Sequence, residues 1–270
     1  MPQSAALPAS PGVQWASDWT SARATAQRDH KAIMVDLSTD WCTWCKELDA
    51  KVFPDARVGA ASAQFVPVRM DGEHNGAAIV SHFAVTAYPT VLFIDADGTL
   101  VGEINGFAPA DEYAKEINLI AKDYHDYPGL VNSVHQNPRD FGAATRVAKI
   151  DIDRQKPQDA LTLADSMTSH GGGAEAAPVY NAVATDDYHA QNVDDAIALF
   201  RKSLKIAQST KDLVAAHIGL VQCYATKDDM AGANQHLRAI LALPGVPPNI
   251  KASVAKILTD VHKAGADGGQ

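Results

Sequence analysis

Basic charge is scarce in this chain: 23 Lys and Arg stand against 32 Asp and Glu, a net −9 at neutral pH. A nucleic-acid surface needs clustered Lys and Arg, so that class is set aside. Long apolar runs are missing too, and no stretch approaches the roughly 18–20 apolar residues that cross a bilayer. Cysteine is rarer still, at three in 270 residues, too few for a disulfide scaffold. There is no Ser-His-Asp arrangement, no phosphate-cradling glycine loop and no HExxH motif. "HGGGAEAAP" (170–178) lacks the serine elbow of an oxyanion loop and reads as a linker between helices.

What is present is an ordinary globular composition, 46% hydrophobic and 20% charged. Length alone suggests about two domains. Residues 1–128 carry a net −8 and residues 129–270 a net −1, which places a boundary near Pro128-Gly129. The start, "MPQSAALPASPGVQW", lacks the basic first stretch and apolar run of a signal peptide. It reads as a flexible segment over residues 1–15, either a mature end left after cleavage with Met1 added for expression, or a plain tail.

Two of the three cysteines lie together in "DWCTWCKELD" (40–49), each preceded by a tryptophan. Around them the pattern alternates. Residues 17–30 read as a helix, "AIMVDLS" (32–38) as a buried strand, 43–51 as a helix and "FVPVRM" (65–70) as a second strand. A short helix over 75–83 precedes "TVLFID" (90–95). The turn "ADG" then leads into "LVGEI" (100–104), so these strands form a hairpin. An amphipathic helix over 110–122 closes the unit. The expected fold is a mixed central sheet flanked by helices.

A C-x-x-C directly after the first core strand of such a unit is a thioredoxin-like signature. Residues 16–125 resemble thioredoxin-like proteins, especially the WCxWCK branch of disulfide-interchange proteins. The resemblance rests on "VDLSTDWCTWCKEL" (35–48), "VFPDARV" (52–58), "FVPVRMD" (65–71), "VTAYPTVLFIDADG" (85–98) and Gly106-Phe107. It implies a thioredoxin-like domain over 16–128 that exchanges disulfides with protein substrates and needs no cofactor.

The chemistry of the pair follows from its place. Cys42 should stand at a helix N-terminus, where unpaired N–H groups and the helix dipole favour a thiolate; an accessible, partly ionised Cys42 is the nucleophile. Cys45, one turn further in and less exposed, resolves the mixed disulfide. Trp41 offers an apolar platform to a substrate. Trp44 occupies the intervening pair that tunes reduction potential in related dithiols, and the direction of electron flow stays open. By the resemblance, Asp36 carries protons to and from Cys45, and Tyr88-Pro89 is a cis peptide whose backbone meets a substrate strand. The Lys found opposite that Asp in thioredoxins has no counterpart, since the aligned position is Pro67.

The other readings of the pair are weaker. Zinc wants four Cys or His ligands, and neither Cys223 nor His74 with His82 completes a set, so no metal is assigned. Metal delivery through the dithiol is a distant alternative, and the absence of C-x-x-C-H excludes covalent haem attachment. Cys223 reads as a small buried hydrophobe.

From Pro138 on, helical patterns replace strands. "PQDALTLA" (157–164), "VDDAIALF" (193–200) and "MAGANQHL" (230–237) align on Ala160, Ala196 and Ala233 at spacings of 36 and 37. This resembles tetratricopeptide-like repeats, and implies an all-α domain over 129–270 that offers a surface to a protein partner. Residues 250–265 read as a capping helix behind Asn249. The rival reading is a redox-sensitive adaptor whose repeats do the binding. The branch resembled and the N-terminus favour a periplasmic or other extracytoplasmic site, with the cytoplasm as the alternative.

Overall fold

The computed structural model describes residues 12–267, with side chains through residue 260. Residues 1–11 of the expected flexible segment lie outside the described residues. Residues 12–15 are tied down: the Val13 N–H donates to the Phe53 carbonyl, and the Ala16 N–H beyond them to that of Pro67, both at 2.8 Å.

The chain divides into two compact units, one reaching Tyr127 together with Asp153–Gln155, the other formed by Pro128–Ile152 and the chain from Lys156 onward. In the first, α1 (Trp19–Asp29) is started by Asp18, whose carboxylate accepts the Ser21 N–H, and ended by His30 in the left-handed region. Then come β1 (Ile33–Ser38), α2 (Thr43–Lys51), α3 (Ala56–Ser62), β2 (Val66–Asp71), α4 (Ala77–His82), β3 (Thr90–Ile94), β4 (Leu100–Asn105) and α5 (Ala110–Gln136). The sheet order is β2-β1-β3-β4. β1 runs parallel to β2 and antiparallel to β3, and β3–β4 is the expected hairpin. Its turn closes with a Gly98 N–H to Asp95 carbonyl bond at 2.9 Å, and Gly98 takes a φ of 94° that few side chains tolerate.

Alternation along β1 divides the core. Ile33, Val35 and Leu37 face α1 and α4, packing with Ala22 and Ala26. Ala32 and Met34 face α2, α3 and α5, packing with Leu48, Val58, Tyr113 and Ile117. Asp36 shares the parity of Met34 and therefore points to the side that carries α2.

Several elements differ from the sequence reading: a helix (Gly173–His189) begins inside the expected linker 170–178, and Asn249 lies within a helix that starts at Pro248 instead of preceding it. α3 was not expected: seven residues are too few for a helical period to show, and Asp55, whose carboxylate accepts the Arg57 N–H, starts it. α5 does not stop at Lys122 but runs on through Pro128 to Gln136. Proline removes one N–H from the helix ladder. Apolar Val134 beyond it nonetheless packs into the helical core, and packing outweighs the local preference.

The second unit is all helix: α6 (Phe141–Asp153), α7 (Pro157–Ser169), α8 (Gly173–His189), α9 (Val193–Ile206), α10 (Thr210–Thr226), α11 (Met230–Ala242) and α12 (Pro248–Asp267). α6/α7, α8/α9 and α10/α11 are pairs with one shared turn. Each turn holds a left-handed residue, Gln155, Gln191 or Asp228. The next N–H reaches back five residues: Lys156 to Asp151, Asn192 to Asp187, and Asp229 to Tyr224, at 2.7–2.9 Å. Ala160, Ala196 and Ala233 are all buried at the fourth position of the second helix. The period seen in the sequence is thus a period of backbone geometry.

Candidate active site

After β1 the chain turns into α2 through a Cys42 N–H to Thr39 carbonyl bond of 3.1 Å. Cys42 is the N-cap of α2, and its sulfur accepts the Cys45 N–H at 3.1 Å. A sulfur in this place meets helix N–H groups that have no partner within the helix. One turn on, Cys45 lies on the same face, and the two are joined in a disulfide with Cα atoms 5.3 Å apart.

The sequence reading expects an accessible Cys42 and a more hidden Cys45. In the closed bridge they are alike, 3% and 4% exposed, so the accessible Cys42 of the sequence reading is not seen in this oxidised form. Exposure belongs instead to Trp41 at 64% and Trp44 at 58%. Trp41 donates its indole N–H to Glu73 at 3.1 Å and meets Tyr88 edge-on at 5.9 Å. Trp44 leans on Phe107 with ring centroids 5.4 Å apart. Gly72 makes room for Tyr88, since a Cβ there would stand 2.4 Å from the phenol ring. The Tyr88–Pro89 peptide is cis, and Pro89 is itself buried.

Asp36 is 3% exposed. Its Oδ1 has no hydrogen-bond partner, and its Oδ2 lies 3.6 Å from the Nε of Arg69. Burial pushes this carboxyl up to about 7; Arg69 pulls it down and Asp49 adds a smaller upward push. Cys45 is three residues before Leu48 on α2, whose apolar face covers the Asp36 side of the sheet. The acid and the second cysteine therefore share one side of the sheet. Tyr113, on α5, also buries an unpartnered hydroxyl here, and burial holds it well above the ordinary phenol range.

The sequence reading looks for a cation at Pro67 and finds none. Arg69, two residues on and level with Asp36 in the strand register, supplies it. Its guanidinium also binds Asp49 and lies 4.3 Å from the face of Trp15. Glu73 and Phe107 were likewise not identified as site residues. Asp49 left a trace in the sequence, seven residues after Cys42 and so on the same helix face. Arg69 and Glu73 left none, because the strand register and the loop after β2 bring them in. His74 pairs with Asp71 at 3.0 Å, and His82 lies edge-on to Phe83. Among the described residues no group of three or more His, Cys, Asp or Glu is placed to hold a metal ion.

Residues 14–96 match the family model described as thioredoxin-like. Residues 14–96 form a thioredoxin-like domain. Over 102 residues the chain is 35% identical to the thiol:disulfide interchange protein DsbD of Pseudoalteromonas atlantica, covering 36% of this chain and 17% of that protein. The DsbD of Actinobacillus pleuropneumoniae is 33% identical over 95 residues, 33% of this chain and 16% of the relative. A solved structure described as DsbH oxidoreductase is 20% identical, with a TM-score of 0.41, covering 45% of this chain and 94% of that one. The chain spans about a sixth of the length of the curated relatives it matches. No described helix is long and apolar enough to cross a membrane.

Proposed function

We propose that the chain is a thiol–disulfide oxidoreductase that exchanges disulfides with protein substrates through Cys42 and Cys45. The observation that carries the reading is the bridge itself, set at the first turn of α2 with two exposed tryptophans beside it and a buried carboxyl on the same side of the sheet. In the reducing direction, the Cys42 thiolate attacks a substrate disulfide. One sulfur–sulfur bond forms as another breaks, and the first substrate thiolate leaves. Cys45 gives its proton to Asp36 and attacks the Cys42 sulfur, and the second substrate thiolate departs. Two electrons pass to the substrate, the bridge of the structure is restored, and a partner dithiol must open it again. The oxidising direction reverses each step. Trp41, Trp44 and Tyr88 are the surface that meets the substrate, with the buried Pro89 behind it.

The deciding experiment is insulin reduction by dithiothreitol, followed as turbidity. Wild type accelerates it, Cys42→Ser does not, and Cys45→Ser accumulates a mixed disulfide visible by non-reducing electrophoresis. Equal acceleration by Cys42→Ser sinks the reading.

For the helical unit we propose tetratricopeptide-like repeats that bind a protein partner, supported by the recurring turn and alanine positions. If the insulin assay is negative, this unit becomes the principal function and the bridge its redox-sensitive neighbour. An extracytoplasmic site is proposed on the likeness to the disulfide-interchange branch, with the cytoplasm as the alternative. Fractionation of the producing cells tests it.

A further inference from the structure

The three helical pairs keep one register, and at one place its packing logic breaks. Eleven residues before the left-handed turn residue stand Ala144, Tyr180 and His217; eight after it stand Leu163, Leu199 and His236. In the first two pairs these side chains pack into an apolar cluster. The third pair has two imidazoles there instead, Nδ1 to Nδ1 at 2.9 Å. Setting two polar rings where the repeat accepts alanine, tyrosine and leucine costs desolvation that one shared hydrogen bond offsets only in part. Repeat packing does not call for them.

The rings are fixed from outside. His236 stacks on Tyr224 with planes 13° apart and centroids at 5.5 Å. The Tyr224 hydroxyl accepts a bond from Arg201 of α9. Gly232 leaves room for the Tyr224 ring, since a Cβ there would come within 3.0 Å of its Cδ1. Both histidines sit inside helices, on α10 and α11, and both are half-buried. Solvent therefore reaches the pair while rigid elements hold its spacing.

That spacing selects an ion. Imidazole nitrogens bind first-row metals at about 2.0–2.1 Å. An ion at that distance from two nitrogens 2.9 Å apart sees them at about 90°, as neighbouring corners of a square. A tetrahedral ion wants the nitrogens about 3.3 Å apart. Tetragonal nitrogen sites suit Cu(II) and Ni(II), and Cu(II) heads the affinity order. Among the described residues no third His, Cys, Asp or Glu is grouped with the pair, which leaves the other corners to water or to donors of a second molecule.

We propose that His217 and His236 chelate one Cu(II) ion through their Nδ1 atoms, with Ni(II) bound more weakly, at a site whose remaining positions stay open to exchange. With both rings neutral and no metal, one Nδ1 donates its proton to the other. On binding, that proton moves to the Nε2 of its own ring, and both Nδ1 lone pairs turn to the ion. No electron is transferred. Arg201, bonded to Tyr224, opposes a dication here and keeps the affinity modest. The site lies within the helical unit and takes nothing from the redox bridge.

The test titrates the full chain with CuCl2 in glycine buffer, its bridge oxidised so that Cys42 and Cys45 offer no thiolate. Calorimetry should find one Cu(II) per chain with a Kd of about 10 μM or tighter, and Ni(II) about tenfold weaker. His217→Gln and His236→Gln should each weaken Cu(II) by about tenfold or more, and Arg201→Gln should tighten it by roughly two- to fivefold. Saturating Cu(II) should raise the melting temperature of the helical unit in wild type and leave that of His236→Gln unmoved. Electron paramagnetic resonance of the wild-type Cu(II) form should be axial and split by two nitrogens. A wild-type Kd of about 100 μM or weaker overturns the proposal. So does affinity retained in both histidine variants, or a spectrum split by a single nitrogen. The spectrum is read on the wild type, so it decides even where a variant fails to fold.

Discussion

Asp36 stands between apolar neighbours on β1 with one oxygen unpartnered and the other facing Arg69. Such a group costs stability whenever it is charged. Its folded value, about 7, lies above the ordinary 3.8, so between those values the folded state binds more protons than the unfolded one. Stability therefore falls as pH rises through that window. Asp36→Asn should stabilise the first unit above pH 7 by about 1–3 kcal/mol, less than the full shift implies because Asn keeps an unpaired polar atom. Thermal melting of the two proteins at pH 8 and pH 5 checks this, with the difference shrinking at pH 5. The exposed aromatics make a second prediction. Trp44→Ala, which removes the Trp44–Phe107 surface, should raise KM for a peptide disulfide about three- to tenfold, as expected for an aromatic contact of roughly 0.5–1.5 kcal/mol. Glutathione disulfide, too small to span that surface, should be turned over unchanged. The places of Cys42, Cys45 and Asp36 were legible as a local pattern, and that of Pro89 through the family resemblance. Arg69 and Glu73 were not, since the strand register and the loop after β2 bring them in.

Among the elements, α10 and α11 carry a pairing that sequence periodicity does not reveal. His217 and His236 meet Nδ1 to Nδ1 at 2.9 Å, so at least one ring must be neutral to accept the bond. His236 stacks on Tyr224, and Arg201 of α9 adds a positive charge beside it. Burial, then the neighbouring charge, lowers both rings below the ordinary 6.5. The unfolded chain takes up protons first as pH falls, so the stability this pair contributes is present above about 6.5 and is lost below it. Melting of the helical unit between pH 7.5 and 5.5 should therefore drop further in wild type than in His236→Gln, by a few degrees. Gly219 of α10 makes a harder prediction: a Cβ there would lie 2.1 Å from the Phe200 ring. Gly219→Ala should destabilise the helical unit by about 1–3 kcal/mol through overpacking, despite the higher helix propensity of Ala; denaturant titration measures it. The α10 glycine reads in sequence as a mild helix weakener, whereas packing makes it necessary.

At the scale of the molecule, two separate sets of cores answer differently to one variable. The sheet unit is gathered around β1, and the helical unit around successive clusters shared by neighbouring helices. Acidification from pH 7.5 to 5.5 relieves the buried carboxyl of the first and charges the histidine pair of the second. Calorimetry of the full chain should resolve two transitions. Asp36→Asn should change the pH response of one and His236→Gln that of the other; a single transition moved by both substitutions would refute independent cores. Local pattern was enough to read a strand before C-x-x-C, a hairpin after "ADG" and alanines recurring every 36 or 37 residues, because these depend on neighbours within a few positions along the chain. The charge beside Asp36, the histidine contact, the continuation of α5 through Pro128 and the equal burial of the two bridged cysteines were settled only by folding. Each arises from groups distant in sequence that share one small volume, where packing and electrostatics outweigh local propensity.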